Sequence, residues 1–220
     1  RDLVLSEICD QFWLIRIAAE KEITNIVYMG MGEPLDNYGP VLSSIKTFTS
    51  ARQFGLSPRR LTVSTAGLVP ALKRFARENV PQVKLSVSLH AVTDEKRKQI
   101  MPVAEMFPLR ELITTLKEIR SRFKKTYTLE YILIKDFNDD KEDARRLGSI
   151  ARQLSAKINL IGYNPIEDVS YASPADSEVD RFAAELTKLN ITVTVRYSAG
   201  SDISAACGQL RLQRGTPGDW

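Results

Sequence analysis

The sequence predicts an α/β fold on a parallel sheet, and three observations predict it. Apolar strand-like segments alternate with amphipathic helix-like segments along nearly the whole chain. The residues that follow each strand are mostly polar and several are small, which suggests one pocket built at one end of the sheet. No low-complexity segment, linker or internal repeat interrupts the pattern, so residues 1–220 read as a single domain. The right-handed crossover rule then allows either an open doubly wound sheet or a barrel.

The elements follow in order. Ser6 is a plausible N-cap, and Ile8, Phe12, Ile15 and Ala19 recur at helical spacing, so a first helix with one buried face is expected. ITNIVYM is the first strand, and Val41, Leu42, Ile45 and Phe48 mark the apolar side of the next helix. RLTVST (60–65) is the second strand, and PALKRFAREN (70–79) the helix after it, with Pro70 suited to the first turn. VKLSVSL (83–89) is the third strand. PLRELITTLKEIRSRF (108–123) places Leu109, Leu112, Ile113, Leu116, Ile119 and Phe123 on one stripe. TYTLEYILI (126–134) is the fourth strand, with a helix from about Asp140 to Leu154 behind it. KINLIGY (157–163) is the fifth. A helix carrying Val179, Phe182, Ala183, Leu186 and Leu189 leads to ITVTVRY (191–197), the sixth.

Composition narrows the class. At 220 residues, with 43% hydrophobic and 26% charged, the chain has the make-up of a globular domain. No apolar run approaches the ~20 residues of a membrane span, and no apolar h-region follows the basic start, so a cytoplasmic protein is expected. A net charge of +4 with pI near 9.0 tolerates nucleic acid as a partner without requiring it. Lys96-Arg97-Lys98 and similar clusters could meet phosphates, but charge alone favours solvated helix faces and ends. Two cysteines, Cys9 and Cys207, exclude a disulfide framework and an all-cysteine metal site within the chain.

The candidate site residues stand at strand ends. In VYMGMGEPLDNY the chain leaves a strand through Gly30 and Gly32 and presents Glu33. Glycine lets backbone approach a ligand, and an ionised carboxylate holds an ammonium; the other reading is a tight turn whose acid caps the next helix. The spacing is no phosphate-binding fingerprint. Ser64 and Ser88 suit a sugar hydroxyl or a carboxylate. His90, the only histidine, reads as an acid–base group, a stacking ring or a satisfied structural residue. Asn164 in GYNP suits an adenine edge, a ribose or a turn. Cys207 lies among Ala205, Ala206 and Gly208, where a sulfur stays accessible as a covalent carrier requires; a buried inert thiol is the alternative. Cys9 reads as structural. Lys135 follows the fourth strand, but no phosphate loop accompanies it to suggest an aldolase or isomerase.

In series, GMGEP, RRLTVSTAGLVP, SVSLHA, IMPV, LEYILI with FND, INLIGYNP and AACGQL resemble the radical S-adenosylmethionine (SAM) adenine-C2/C8 RNA methyltransferases, the RlmN/Cfr group. The resemblance covers nearly the whole chain in order. It implies a partial (β/α) barrel with SAM at its top. Gly32 and Glu33 would hold the methionine amino group, and Ser64, Ser88, Leu89, His90 and Asn164 would supply further SAM contacts. Cys207 would carry the methyl group. In that family one SAM methylates the cysteine and a second is cleaved reductively at a 4Fe-4S cluster, because C2 of adenine is too poor a nucleophile for direct attack. The implied substrates are 23S rRNA and, for some members, tRNA, with an electron donor such as flavodoxin and a monomeric enzyme.

The family's cluster sits in a Cys-x3-Cys-x-x-Cys loop, and this sequence contains none. The chain opens at Arg1 without an initiator Met, so the expectation is the later part of a longer enzyme, inactive as an isolated chain. A cluster-less relative that binds SAM or RNA without catalysis is the alternative.

Overall fold

A computed structural model of the chain describes residues 1–29, 32–78, 83–123, 127–165 and 169–197. Six strands form one sheet: β1 (Ile26–Tyr28), β2 (Leu61–Thr65), β3 (Lys84–Ser88), β4 (Thr128–Leu133), β5 (Lys157–Gly162) and β6 (Val193–Arg196). The helices are α1 (Leu5–Ala19), α2 (Tyr38–Thr49), α3 (Val69–Arg77), α4 (Asp94–Ile100), α5 (Val103–Met106), α6 (Leu109–Ile119), α7 (Lys141–Leu154) and α8 (Asp176–Lys188).

Strand order decides between the two architectures the sequence left open. The sheet runs β1-β2-β3-β4-β5-β6, and every pair is parallel. A doubly wound sheet reverses its order at a switch point; this one never does. Crossovers of one hand in a monotonic order put all helices on one face, as in a (β/α) barrel. With β1 and β6 unpaired to each other, the barrel is partial.

Alternation along the strands makes that sheet two-faced. Leu61, Val63, Leu85, Val87, Leu129, Tyr131, Leu133, Ile158 and Leu160 pack in one core with Leu72, Leu112, Leu116, Leu147, Phe182 and Leu186 from the helices. The register places Ser64 beside Ser86 and Thr128, and Ser88 beside Glu130, Asn159 and Thr194, on the opposite face. That face is polar.

Three expectations need correction. Ser6 lies inside α1 rather than at its cap; the Val4 amide, one residue before the helix, donates to the Glu7 carboxylate at 2.9 Å. Of the expected buried stripe, Phe12 packs against Phe48 and Phe54, but Ile15 is 58% exposed. Helix α1 packs on α2 beyond the sheet's edge, so only one of its turns finds a deep partner. The Lys96-Arg97-Lys98 run is not a uniformly solvated face either, because Arg97 is fully buried in α4. Helices α4 and α5 had no counterpart in the periodicity.

Candidate functional site

The site starts where β1 ends. Gly32 has φ 96°, a left-handed conformation that favours glycine, and a Cβ there would meet nothing within 4 Å. The chain then turns so that the Asp36 amide donates to the Glu33 carbonyl at 3.0 Å. Proline at position 34 keeps the preceding residue out of the helical region. The Glu33 carboxylate therefore does not extend into solvent. One oxygen accepts the Leu35 amide at 3.0 Å and the other accepts the Ala66 amide at 2.6 Å, from the loop after β2. Burial raises the pKa of this carboxyl, against the opposing effect of the Ala66, Leu35 and Thr65 hydrogen bonds. A carboxylate has about four lone-pair sites, so two amides leave acceptor capacity for a cation.

The polar sheet face continues from there. Ser64 is buried within β2, and Ser88 ends β3 directly beside Glu130 of β4. Glu130 is 5% exposed, and its carboxylate accepts the Ser86 hydroxyl and the Asn159 side-chain amide, each at 2.5 Å. Asn159 Oδ1 is buried without a partner among the described residues. Sequence reasoning passed over Glu130 and Asn159, although the alternation T-L-E-Y-I-L and K-I-N-L-I-G placed both on one face.

His90 follows in a left-handed conformation, φ 56°. Its Nδ1 accepts the Ile132 amide at 3.3 Å, and its carbonyl accepts the Asn138 side chain at 2.8 Å. Burial, helped by the Arg97 guanidinium, pushes its pKa down to about 4. The ring is therefore neutral near pH 7, with the proton assigned to Nε2 by the bond at Nδ1. The Leu89 side chain is buried; its amide donates to the Glu130 carbonyl at 3.0 Å and its carbonyl accepts the Ala91 amide at 2.7 Å. Asn164 stands half-buried just past β5, where the Tyr163 amide donates to the Leu133 carbonyl at 3.0 Å. Cys207 lies outside the described residues. Glu33, Ser64, Ser88, His90 and Asn164 thus all occur at or just past the carboxyl ends of β1, β2, β3 and β5, the expected end of the sheet.

A cleft of ≈ 410 Å³ opens between α1 and the unpaired edge of β1 and reaches Gly32, Glu33 and Pro34 at one end. Ser64, Ser88, His90 and Asn164 do not line it. It is a gap beside an edge strand rather than the centre of the candidate site. Among the described residues no group of three His, Cys, Asp or Glu side chains could hold a metal ion, and none of their helices is long and apolar enough to cross a membrane.

Comparison with known proteins places this architecture. No protein-family model matches the chain. It is 44% identical over 214 residues to the probable dual-specificity RNA methyltransferase RlmN of Akkermansia muciniphila, covering 97% of this chain and 59% of that protein. It is 41% identical to the dual-specificity RNA methyltransferase RlmN of Nautilia profundicola, over 96% of this chain and 60% of that one. A radical SAM methyltransferase from Sphaerobacter thermophilus superposes with a TM-score of 0.86 at 38% identity, over 95% of this chain and 62% of that chain. Over almost its whole length the chain is thus similar to proteins named RlmN dual-specificity RNA methyltransferase and to a solved radical SAM methyltransferase. It spans about three-fifths of the length of these RlmN relatives. A domain of pyruvate-formate lyase-activating enzyme from Bacteroides vulgatus shares the fold at TM-score 0.58 and 17% identity.

Proposed function

We propose that this chain is the SAM-binding and methyl-carrying core of an RlmN-type RNA methyltransferase, with residues 1–220 forming a single domain within a longer enzyme. The observation that carries the reading is the Glu33 carboxylate, held between the loops after β1 and β2 at the carboxyl end of the sheet. The site fits SAM in its donor set. Gly32 leaves open space beside a half-buried anion, and an anion with fixed geometry and spare lone pairs suits the methionine ammonium.

Each residue takes a role its position supports. Glu33 binds and orients the ammonium. Ser64 and Ser88 offer hydroxyls along the polar face, and Asn164 offers an amide for the adenine or ribose. His90, neutral and tied to β4, shapes the wall rather than moving a proton. Leu89, buried next to it in the chain, lends the run its backbone. Cys207 is the methyl carrier in this reading. Bound SAM, with a 4Fe-4S cluster, supplies the radical chemistry of the family. The chain's two cysteines do not make a three-thiolate cluster site, so the cluster ligands belong to other residues of the full enzyme.

The substrate in this reading is C2 of an adenine in 23S rRNA. The words "dual-specificity RNA methyltransferase" in the relatives' names support a second RNA, for which tRNA is the expected class. Flavodoxin as electron donor, a monomeric state and a cytoplasmic location complete the proposal. The test has two parts. Calorimetry with SAM should show binding by the protein that is lost in Glu33→Ala. Methyl label from SAM should enter an rRNA fragment with the full enzyme and a reductant, be abolished by Cys207→Ala, and stay absent with this chain alone. Absence of SAM binding to the full enzyme overturns the reading. SAM binding without any methyl transfer by the full enzyme would favour the binding-only relative instead.

A further inference from the structure

Arg97 is fully buried, yet no carboxylate among the described residues pairs with it. Its guanidinium donates to two backbone carbonyls on different loops, Ala66 at 2.8 Å and Phe107 at 3.2 Å, while Nε has no partner among the described residues. The Asp94 carboxylate is the charge that acts favourably on it, and burial is the larger effect, lowering its pKa. Removing a cation from water is expensive, and an apolar side chain of similar volume would fill the same space more cheaply. What an apolar side chain cannot do is fix two carbonyls with one planar fork.

One of those carbonyls belongs to Ala66, whose own amide clamps Glu33 at 2.6 Å. Gly67, next in the chain, has φ 101°, and its amide reaches Thr65 Oγ1 at 3.1 Å. A Cβ on Gly67 would lie 3.1 Å from the Leu112 methyls and 3.4 Å from an Arg97 nitrogen, so the turn packs between the Leu112 side chain and the guanidinium.

We propose that Arg97 is a positioning residue for the Glu33 site: its buried guanidinium holds the Ala66–Gly67 turn so that the Ala66 amide orients the carboxylate for an ammonium ligand. This rests on the reading of Glu33 as the ammonium-binding group. Arg97 touches no ligand itself; it acts through one residue, Ala66, whose carbonyl it binds and whose amide holds Glu33. The run Lys96-Arg97-Lys98 thus contains an exposed Lys98, a half-buried Lys96 paired with the buried Asp143 carboxylate at 2.7 Å, and one buried structural cation.

The experiment compares SAM with its analogue lacking the α-amino group, by calorimetry, on wild type, Arg97→Met, Arg97→Lys and Leu147→Ala. Leu147 sits in the core on α7 and serves as a remote destabilised control. Wild type should prefer the amine-bearing ligand by at least about tenfold, the size of one charge-assisted hydrogen bond. Arg97→Met should collapse that preference toward onefold, Arg97→Lys should retain part of it, and Leu147→Ala should keep all of it. A merely structural role would weaken both ligands equally and leave the preference intact, which overturns the proposal. A second readout needs no ligand. Carbon NMR of Glu33 should show its titration midpoint rising in the Arg97 variants, because the Ala66 bond that lowers it is loosened; an unchanged midpoint also overturns the proposal. Should Arg97→Met fail to fold, Arg97→Lys answers both readouts. If wild type itself shows no preference for the amine, the Glu33 reading fails, and the NMR midpoint still decides for Arg97.

Discussion

The Glu33 carboxylate accepts the Ala66 amide at 2.6 Å across 33 positions of sequence, so the loop after β1 and the loop after β2 share one anion. The Leu35 amide, at 3.0 Å, holds the other oxygen. Aspartate, one methylene shorter, cannot span both amides. Glutamine accepts one and turns an NH2 toward the other. Glu33→Ala, Glu33→Asp and Glu33→Gln should each weaken SAM binding by roughly tenfold to a hundredfold, the range of a hydrogen bond to a charged group. Calorimetry on the three variants checks this, and unchanged affinity in Glu33→Gln would sink the ammonium role.

The same carboxyl makes binding depend on pH. Burial raises its pKa above the ordinary 4.5, so the folded state holds the proton more tightly than the unfolded state does. Its contribution to stability is therefore fullest below 4.5 and falls as pH climbs through the raised value. Ammonium binding runs the other way, because only the ionised form attracts the ligand. SAM affinity should rise with pH across that window in wild type and stay flat there in Glu33→Gln, as read by calorimetry at a series of pH values.

His90 contributes with the opposite sign to folding. Its folded pKa is about 4, against 6.5 for an ordinary histidine, so the unfolded chain binds the proton first. Stability from this group is full above 6.5 and is lost as pH falls from 6.5 toward 4. Asparagine tolerates the left-handed backbone at φ 56° and offers an oxygen for the Ile132 amide. His90→Asn should fold, and its urea midpoint should fall less steeply than wild type between pH 6.5 and 4. Parallel slopes would mean that His90 titrates normally.

How far the sequence disclosed all this follows from what each feature depends on. Strands β1 to β6 were visible because apolar runs are local, and Glu33 was visible because glycine, proline and one acid at a strand end form a local pattern. The barrel-type strand order was not visible in the alternation of elements, which fits two windings; the motif resemblance implied it, and the pairing bears it out. Helix α4 escaped because DEKRKQI holds a single apolar residue; it is capped by Thr93, whose hydroxyl accepts the Lys96 amide at 3.3 Å. Arg97 escaped for the same reason. Its burial is set by the β2 and α5–α6 loops that close over it, 31 and 10 positions away in the chain. The apolar stripe of α1 misled, because periodicity reports a preference for burial and the sheet ends before it can cover Ile15.

Asn138 carries more of the site's architecture than any other polar residue described. It is fully buried, and its Oδ1 accepts the Ile134 amide at 2.7 Å. Its side-chain nitrogen donates to the carbonyls of His90 at 2.8 Å and Ile132 at 2.7 Å, which ties the end of β4 to the loop after β3. The Tyr131 hydroxyl donates to its backbone carbonyl at 2.8 Å. Truncation leaves one amide and two carbonyls buried without these partners, and each such group costs about 1–3 kcal/mol. Asn138→Ala should therefore lose at least ~3 kcal/mol in urea unfolding, whereas Tyr131→Phe, which removes a single bond, should lose ~1 kcal/mol. Aspartate at 138 keeps the acceptor but sets an anion against two carbonyls, so Asn138→Asp should be no milder than alanine. A loss in Asn138→Ala no larger than that of Tyr131→Phe would show that the His90 loop is held by other contacts.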